Sequence, residues 1–355
     1  MTFGMTFGNI VGIITVITTI SDAFYVPEAS PVGRRVSTQA SVDGESQVLR
    51  FIEPKSGRPV VLVGAMHYNP QSISLSEDIV KGLAESRSLE AVVLESCSTR
   101  WEKGEELRAQ MTESEEALYS AVFENEMQAA AAVAEQYDRP IILGDQPIEI
   151  TDKRIKQSVV ATLKDLTSPL NGGWSRIADD TKIALGVLTG TSPEPRLSCE
   201  AGLTLRDFFD FSLVISSPVS MLRYPLSIFV RYPVFALNLV VLLLAVTFLP
   251  EFSHAVLPGF EFADNLAPDA VSESGVAGES VAQYALSVVS SLAISAIETA
   301  VFGRILLNPI LAERNVALAD SIVEACSKPG ADERTVVAIL GMAHCNGVKG
   351  LIEAR

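Results

Sequence analysis

Histidine is almost missing from this sequence: there are three, His67, His254 and His344, in 355 residues. A histidine-rich metal store is excluded, and any imidazole chemistry must use these few rings. Cysteine is nearly as scarce, with four residues and no Cys-x-x-Cys pair. That spacing excludes a disulfide framework and a structural zinc knuckle, and leaves buried reduced thiols. Basic residues are outnumbered, 27 Lys and Arg against 43 Asp and Glu, for a formal net charge of −16. A nucleic-acid binder needs a basic face, so no nucleic-acid partner is expected. Charge of either sign is also sparse, at 20%, while apolar residues reach 48% with a positive mean hydropathy. Such a composition points to membrane-embedded stretches within a chain long enough for one large or two smaller domains.

Two runs carry that apolar excess. RYPVFALNLVVLLLAVTFLP is long enough to span a bilayer, which takes about 20 apolar residues. YALSVVSSLAISAIETAVFGRILL is a weaker second span, interrupted by Glu298. The segment between them holds Glu251, Glu261, Asp264, Asp269, Glu273 and Glu279 and no Lys or Arg, while Arg223, Arg231, Arg304 and Arg314 flank the pair. Basic flanks around an acidic loop predict a membrane hairpin with both ends on the same side. The alternative is a buried hairpin in a large domain. At the N-terminus, residues 1–23 resemble a signal segment, although no basic residue precedes the apolar stretch. Residues 24–46 are rich in Ser, Pro and Gly and resemble a transit segment. Together they resemble the bipartite leader of plastids derived from red algae, with a secretory or endomembrane location as the alternative.

Elsewhere strands and helices alternate. VLRFIEP and RPVVLVGAMH read as strands joined by a Lys55–Gly57 turn, and LEAVVLES and PIILGDQP as further strands. Ser74-x-x-Glu77 is a capping-box pattern that predicts a helix over SLSEDIVKGLAESR. Residues 103–138 and the stretch ITDKRIKQSVVATLKDL favour helix, as does NPILAERNVALADSIVEAC, and RTVVAILGMAH returns to strand and turn. The expected fold is α/β, mainly parallel with flanking helices and interrupted by the transmembrane hairpin. The expected organisation is a domain over 47–222, an inserted membrane segment over 223–308, and the rest of that domain over 309–355.

Two of the three histidines occupy the same place in look-alike stretches, VVLVGAMH and VVAILGMAH. Each is an apolar strand followed by Gly-x-x-His, with Gly64 leading to His67 and Gly341 to His344. A histidine just past a strand lies at the carboxyl edge, where parallel sheets gather their ligand sites. Glycine there allows a tight turn and a close approach of backbone to ligand. Glu95 follows the strand EAVVL and is expected at the same rim. Two neutral imidazoles and a carboxylate suit a metal ion. If both histidines serve one site, the chain between them crosses the bilayer an even number of times, which favours two spans over one.

The ordered set VGAMH, VVLESCSTR, NEMQAAAAVAEQYDRPIILGDQPIEITDKR, NPILAERN and LGMAHCNG resembles the TraB family, which includes the PrgY pheromone-shutdown proteins and is related to Tiki and GumN proteins. The resemblance runs from about Val60 to Val348 and implies an EreA/ChaN/Tiki-like fold. It implies that His67, His344 and Glu95 hold a divalent metal, with manganese, cobalt and zinc not distinguished. Glu95 and Arg100 match an acidic and a basic position, with Glu95 or Glu313 as general base and Arg100 or Arg314 offsetting charge on a carbonyl oxygen. Glu126, Asp145, Thr151, Arg154, Glu313 and Arg314 match further motif positions. Gln146 stands where the family pattern has arginine. Read from the residues alone, Glu126 is a helix-face charge, Arg100 a surface residue beside Trp101, Asp145 a turn cap, and Glu313 and Arg314 a solvated pair. The implied activity is metal-dependent hydrolysis of peptides or small signals at a membrane. The alternatives are a regulator that sequesters a peptide or haem, and a membrane scaffold; homo-oligomerisation is left open.

Overall fold

In the computed structural model, residues 46–168, 171–191, 201–231, 300–301, 303–328 and 334–355 are described. The leader, the first apolar run beyond Arg231, and all of the second run before residue 300 lie outside them. Among the described residues no helix is long and apolar enough to cross a membrane.

The structure is a five-stranded, mostly parallel sheet flanked by helices. Strands β1 (Val48–Ile52) and β2 (Pro59–Ala65) form an antiparallel hairpin, its turn closed by Gly57 at φ 72°. Helix α1 (Pro70–Glu85) leads to β3 (Leu89–Leu94). Three helices follow, α2 (Ser98–Ala109), α3 (Glu113–Phe123) and α4 (Glu126–Gln136), before the short β4 (Ile141–Leu143). Next come α5 (Ile148–Leu166), α6 (Gly173–Thr189), α7 (Leu205–Phe208) and α8 (Phe211–Arg231). A π-helical segment, Gly303–Ala312, runs into α9 (Glu313–Ser327). Strand β5 (Thr335–Gly341) and α10 (Met342–Glu353) follow.

The sheet order is β1-β2-β5-β3-β4. The last strand in sequence is therefore the middle one in space, parallel to β2 on one side and β3 on the other. All seven of its residues are buried. This explains why VVAILG is uniformly apolar, because a central parallel strand has both faces covered. Leu62, Ala338 and Leu340 pack with Leu318 and Ile322 of α9 and Val348 and Ile352 of α10. Val61, Val63, Val337 and Ile339 pack on the other face with Val80 of α1 and Ala130 and Ala134 of α4. Each fully buried Val, Leu or Ile contributes about 1.5–3 kcal/mol. Strands from either side of residues 223–308 thus share one sheet. The expected boundaries at 222/223 and 308/309 fall inside α8 and the π-helical segment respectively.

Two local expectations are corrected. Helix α1 starts at Pro70, four residues before Ser74, because the Asn69 Oδ1 accepts from Gln71 N and proline at the first position suits a helix start. Ser74 is then interior, with its hydroxyl toward Asp78. After β5 the chain does not turn; it enters α10 at once, so His344 lies in a helical first turn.

Candidate active site

Parallel register gathers the site. Ala65 pairs with Gly341 and Leu94 with Ile339, so β3 ends two residues short of its neighbours, and the carboxyl ends of β2, β3 and β5 release His67, Glu95 and His344 along one rim. Glu95 is at the centre and only 3% exposed. One of its oxygens accepts from Gly341 N at 2.5 Å, at the amino end of α10, where the helix dipole favours an anion. The other meets His344 Nε2 at 3.2 Å and Arg314 Nη2 at 2.5 Å. His67 comes to the same place: a Cβ built on Gly341 would lie 3.2 Å from His67 Nε2 and 3.3 Å from Glu95 Oε2. This close approach is what glycine at 341 permits. Gly64, by contrast, faces the core, where a Cβ would meet Cys345 Sγ at 2.9 Å.

Each imidazole is held from behind. His67 Nδ1 lies 2.5 Å from Glu126 Oε1, and the other Glu126 oxygen accepts from Tyr68 N at 3.2 Å. Tyr68 sits at φ 61°, a left-handed conformation rare for a bulky residue, and Glu126 ties down the backbone there. His344 Nδ1 lies 2.6 Å from Asn315 Oδ1. Both rings thereby direct Nε2 toward Glu95.

A second wall is ionic. Asp145 receives Arg314 in a fork, Nε at 2.9 Å and Nη2 at 2.6 Å, and also pairs with Arg100. Two guanidinium groups therefore converge on one buried carboxylate. Gln146 itself donates to Thr151 Oγ1 at 2.8 Å. Arg154 pairs with Glu313 at 3.1 Å on the exposed surface. Thr151, Arg154 and Glu313 thus make none of the contacts that join the cluster. The helix-face reading of Glu126 and the solvated reading of Arg314 are corrected: Glu126 is buried on His67, and Arg314 is buried against Glu95 and Asp145. Asp145 does accept from Gln146 N in its turn and Arg100 is partly exposed, and the two also pair with each other.

Charge follows from these contacts. Burial opposes a proton on His67, but the Glu126 carboxylate outweighs it and pushes the ring up to about 9. Burial would raise the Glu95 carboxyl, yet His344, Arg314 and His67 hold it well below the usual range. The Tyr224 phenol is pushed up by burial and by Glu95.

A cavity of about 190 Å³ opens onto the rim, lined among others by His67, Glu95, Arg100, Trp101, Tyr224 and Arg314. Tyr224 stacks on His67 with ring centroids 6.0 Å apart and planes 10° apart. Sequence reasoning missed Tyr224, which lies in no motif, and Asn315, although Asn315 directly follows the Glu-Arg pair. Among the described residues no group of three His, Cys, Asp or Glu side chains has the spacing of a ready cation site. The donor types nevertheless fit a borderline divalent ion, since metal-ligating histidines have their second nitrogen fixed by a carboxylate or carbonyl, as Glu126 and Asn315 do here. Compared with known proteins, no family model matches this chain and no curated protein matches it.

Proposed function

We propose that this chain is a membrane-anchored hydrolase of the TraB type, acting on peptides or small signals, with His67, His344 and Glu95 holding a divalent metal ion. The observation that carries the reading is the convergence of two remote Gly-x-x-His histidines on one buried carboxylate, each ring fixed through Nδ1. The bound metal would supply Lewis acidity and a water of lowered pKa. Glu126 keeps the proton at His67 Nδ1, and Asn315 orients His344. A carboxylate held far below its usual range is a poor proton acceptor, so Glu95 serves as an anionic ligand rather than a base. Glu313 pairs with Arg154 at 3.1 Å, apart from the contacts that join His67, Glu95 and His344. Arg314 and Arg100 bring fixed positive charge to one wall, suited to a carbonyl oxygen gaining charge. Tyr224 and Trp101 line the cavity with aromatic rings. The two apolar runs anchor the domain, in a plastid membrane by the character of the leader.

A second reading, a non-catalytic protein that sequesters a peptide, is favoured by one contact: Arg314 lies 2.5 Å from Glu95 and already offsets its charge. Metal content and peptide cleavage by the full-length protein in detergent separate the two. The expected result is a stoichiometric divalent metal that disappears, with cleavage, in a His67→Ala, His344→Ala variant whose circular dichroism is unchanged. A metal-free wild type that binds peptide without cutting it rejects the hydrolase.

A further inference from the structure

Helix α8 is apolar on two sides. Its packed side carries Leu213, with Leu222, Leu226 and Val230 against Tyr119, Val122 and Phe123, and buries Ser220 and Ser227. Its open side carries Phe211, Val214, Ile215, Pro218, Met221, Pro225 and Phe229, all exposed. At 3.6 residues per turn these seven fall within a stripe roughly 120° wide. The stripe bears no charge. A surface helix in contact with water carries polar residues on its open side, so an exposed apolar stripe of this length marks an interaction face. What covers it is indicated by the chain that follows: no charged residue occurs between Arg231, the last of α8, and Glu251. Such a run matches the length of a bilayer span. The helix itself, with serines on one side and two prolines inside, is not apolar enough to span.

We propose that α8 lies flat in the interfacial layer of a bilayer with this stripe in lipid, so that the His67 cavity opens at the membrane surface. The link to the cavity is direct: Tyr224, at the border of the stripe, stacks on His67, and Ser227 lines the same cavity. Apolar contact carries the seating, because Arg223 and Arg231 are the helix's only charges and Arg223 donates to Ala121 O. The substrates reached are those held at the lipid–water boundary. This extends the anchored reading above, but its test needs no activity.

The full-length protein is reconstituted in phosphatidylcholine vesicles with a nitroxide at Ile215→Cys or Met221→Cys in a Cys199→Ser background, the other three cysteines being buried. Ser212→Cys, exposed but off the stripe, is the reference. The labels at 215 and 221 are expected to relax with lipid-soluble oxygen and to lose broadening by an aqueous nickel chelate, while the label at 212 keeps it. Nickel access at 215 and 221 in vesicle-bound protein overturns the flat seating alone. Shielding from both agents means that protein covers the stripe, and dipolar broadening between labels means that a second copy does; either overturns the proposal. Protein that fails to float with the vesicles overturns it together with the anchored reading.

Discussion

Replacing Gly64 by alanine separates the two glycines of the repeated motif. The new Cβ would lie 2.9 Å from Cys345 Sγ and 3.2 Å from Leu203 Cδ1 and Met342 Cγ, in the core beneath β2. Overpacking of this kind costs about 1–3 kcal/mol. The smaller backbone entropy of unfolded alanine returns about 0.4–1 kcal/mol. The expected net loss is therefore about 1–2 kcal/mol. Cys345→Ala alone removes a buried sulfur and costs roughly 1 kcal/mol through lost burial and a small void. In the double variant the alanine methyl at 64 occupies the space the sulfur leaves. Urea unfolding of all four proteins should then show a favourable coupling of about 1–2 kcal/mol, with the double variant about as stable as the better single one. Strictly additive losses would refute the claim that Gly64 exists to admit Cys345.

Gly341→Ala should behave differently, since its Cβ meets His67 and Glu95: affinity for added zinc is expected to fall roughly tenfold with stability nearly unchanged, and unaltered affinity counts against the site. Arg314→Ala removes the guanidinium that bridges buried Glu95 and Asp145, leaving Asp145 with Arg100 and Glu95 with His344, and should cost about 3 kcal/mol in urea unfolding. Arg314→Lys should recover only part of that, because an ammonium cannot reproduce the fork on Asp145, and full recovery would contradict the geometry. In chelator-treated protein, the Glu126 carboxylate is expected to hold folded His67 at about 9, above its ordinary 6.5. The stabilisation it brings, about 3 kcal/mol at most, is therefore complete below pH 6.5 and lost as the pH rises through 9. Proton NMR can follow the three histidines individually, and Glu126→Gln should bring His67 back down. A wild-type His67 that titrates at 6.5 would refute the pairing.

Much of the framework was legible. Apolar runs bounded by turn residues marked all five strands, and Gly-x-x-His after two of them, with Glu95 after a third, marked the rim. Adjacent parallel strands explain that success, because residues just past their carboxyl ends emerge on the same edge of the sheet. The order of the strands was not legible, since nothing local in VVAILG says whether its neighbours are β2 and β3 or an edge. The burial of Glu126 was hidden for a related reason: an acid opening an alanine-rich helix looks the same whether it faces water or a histidine 59 residues away. Asn69 prevailed over Ser74 as the helix cap because the proline after it sets the first turn, a signal that outweighed the capping-box spacing. Tyr224 could not be found from spacing at all, because its role comes from how α8 packs.

The middle place of β5 also sets when this protein can come into being. Glu95 must wait for the amide of Gly341, 246 residues later, before its carboxylate has a resting place. Until synthesis reaches that point, β2 and β3 have no strand to join them, and a growing chain holds only unconnected pieces with open edges. Whatever chemistry the rim performs is withheld from every chain that has not yet reached β5.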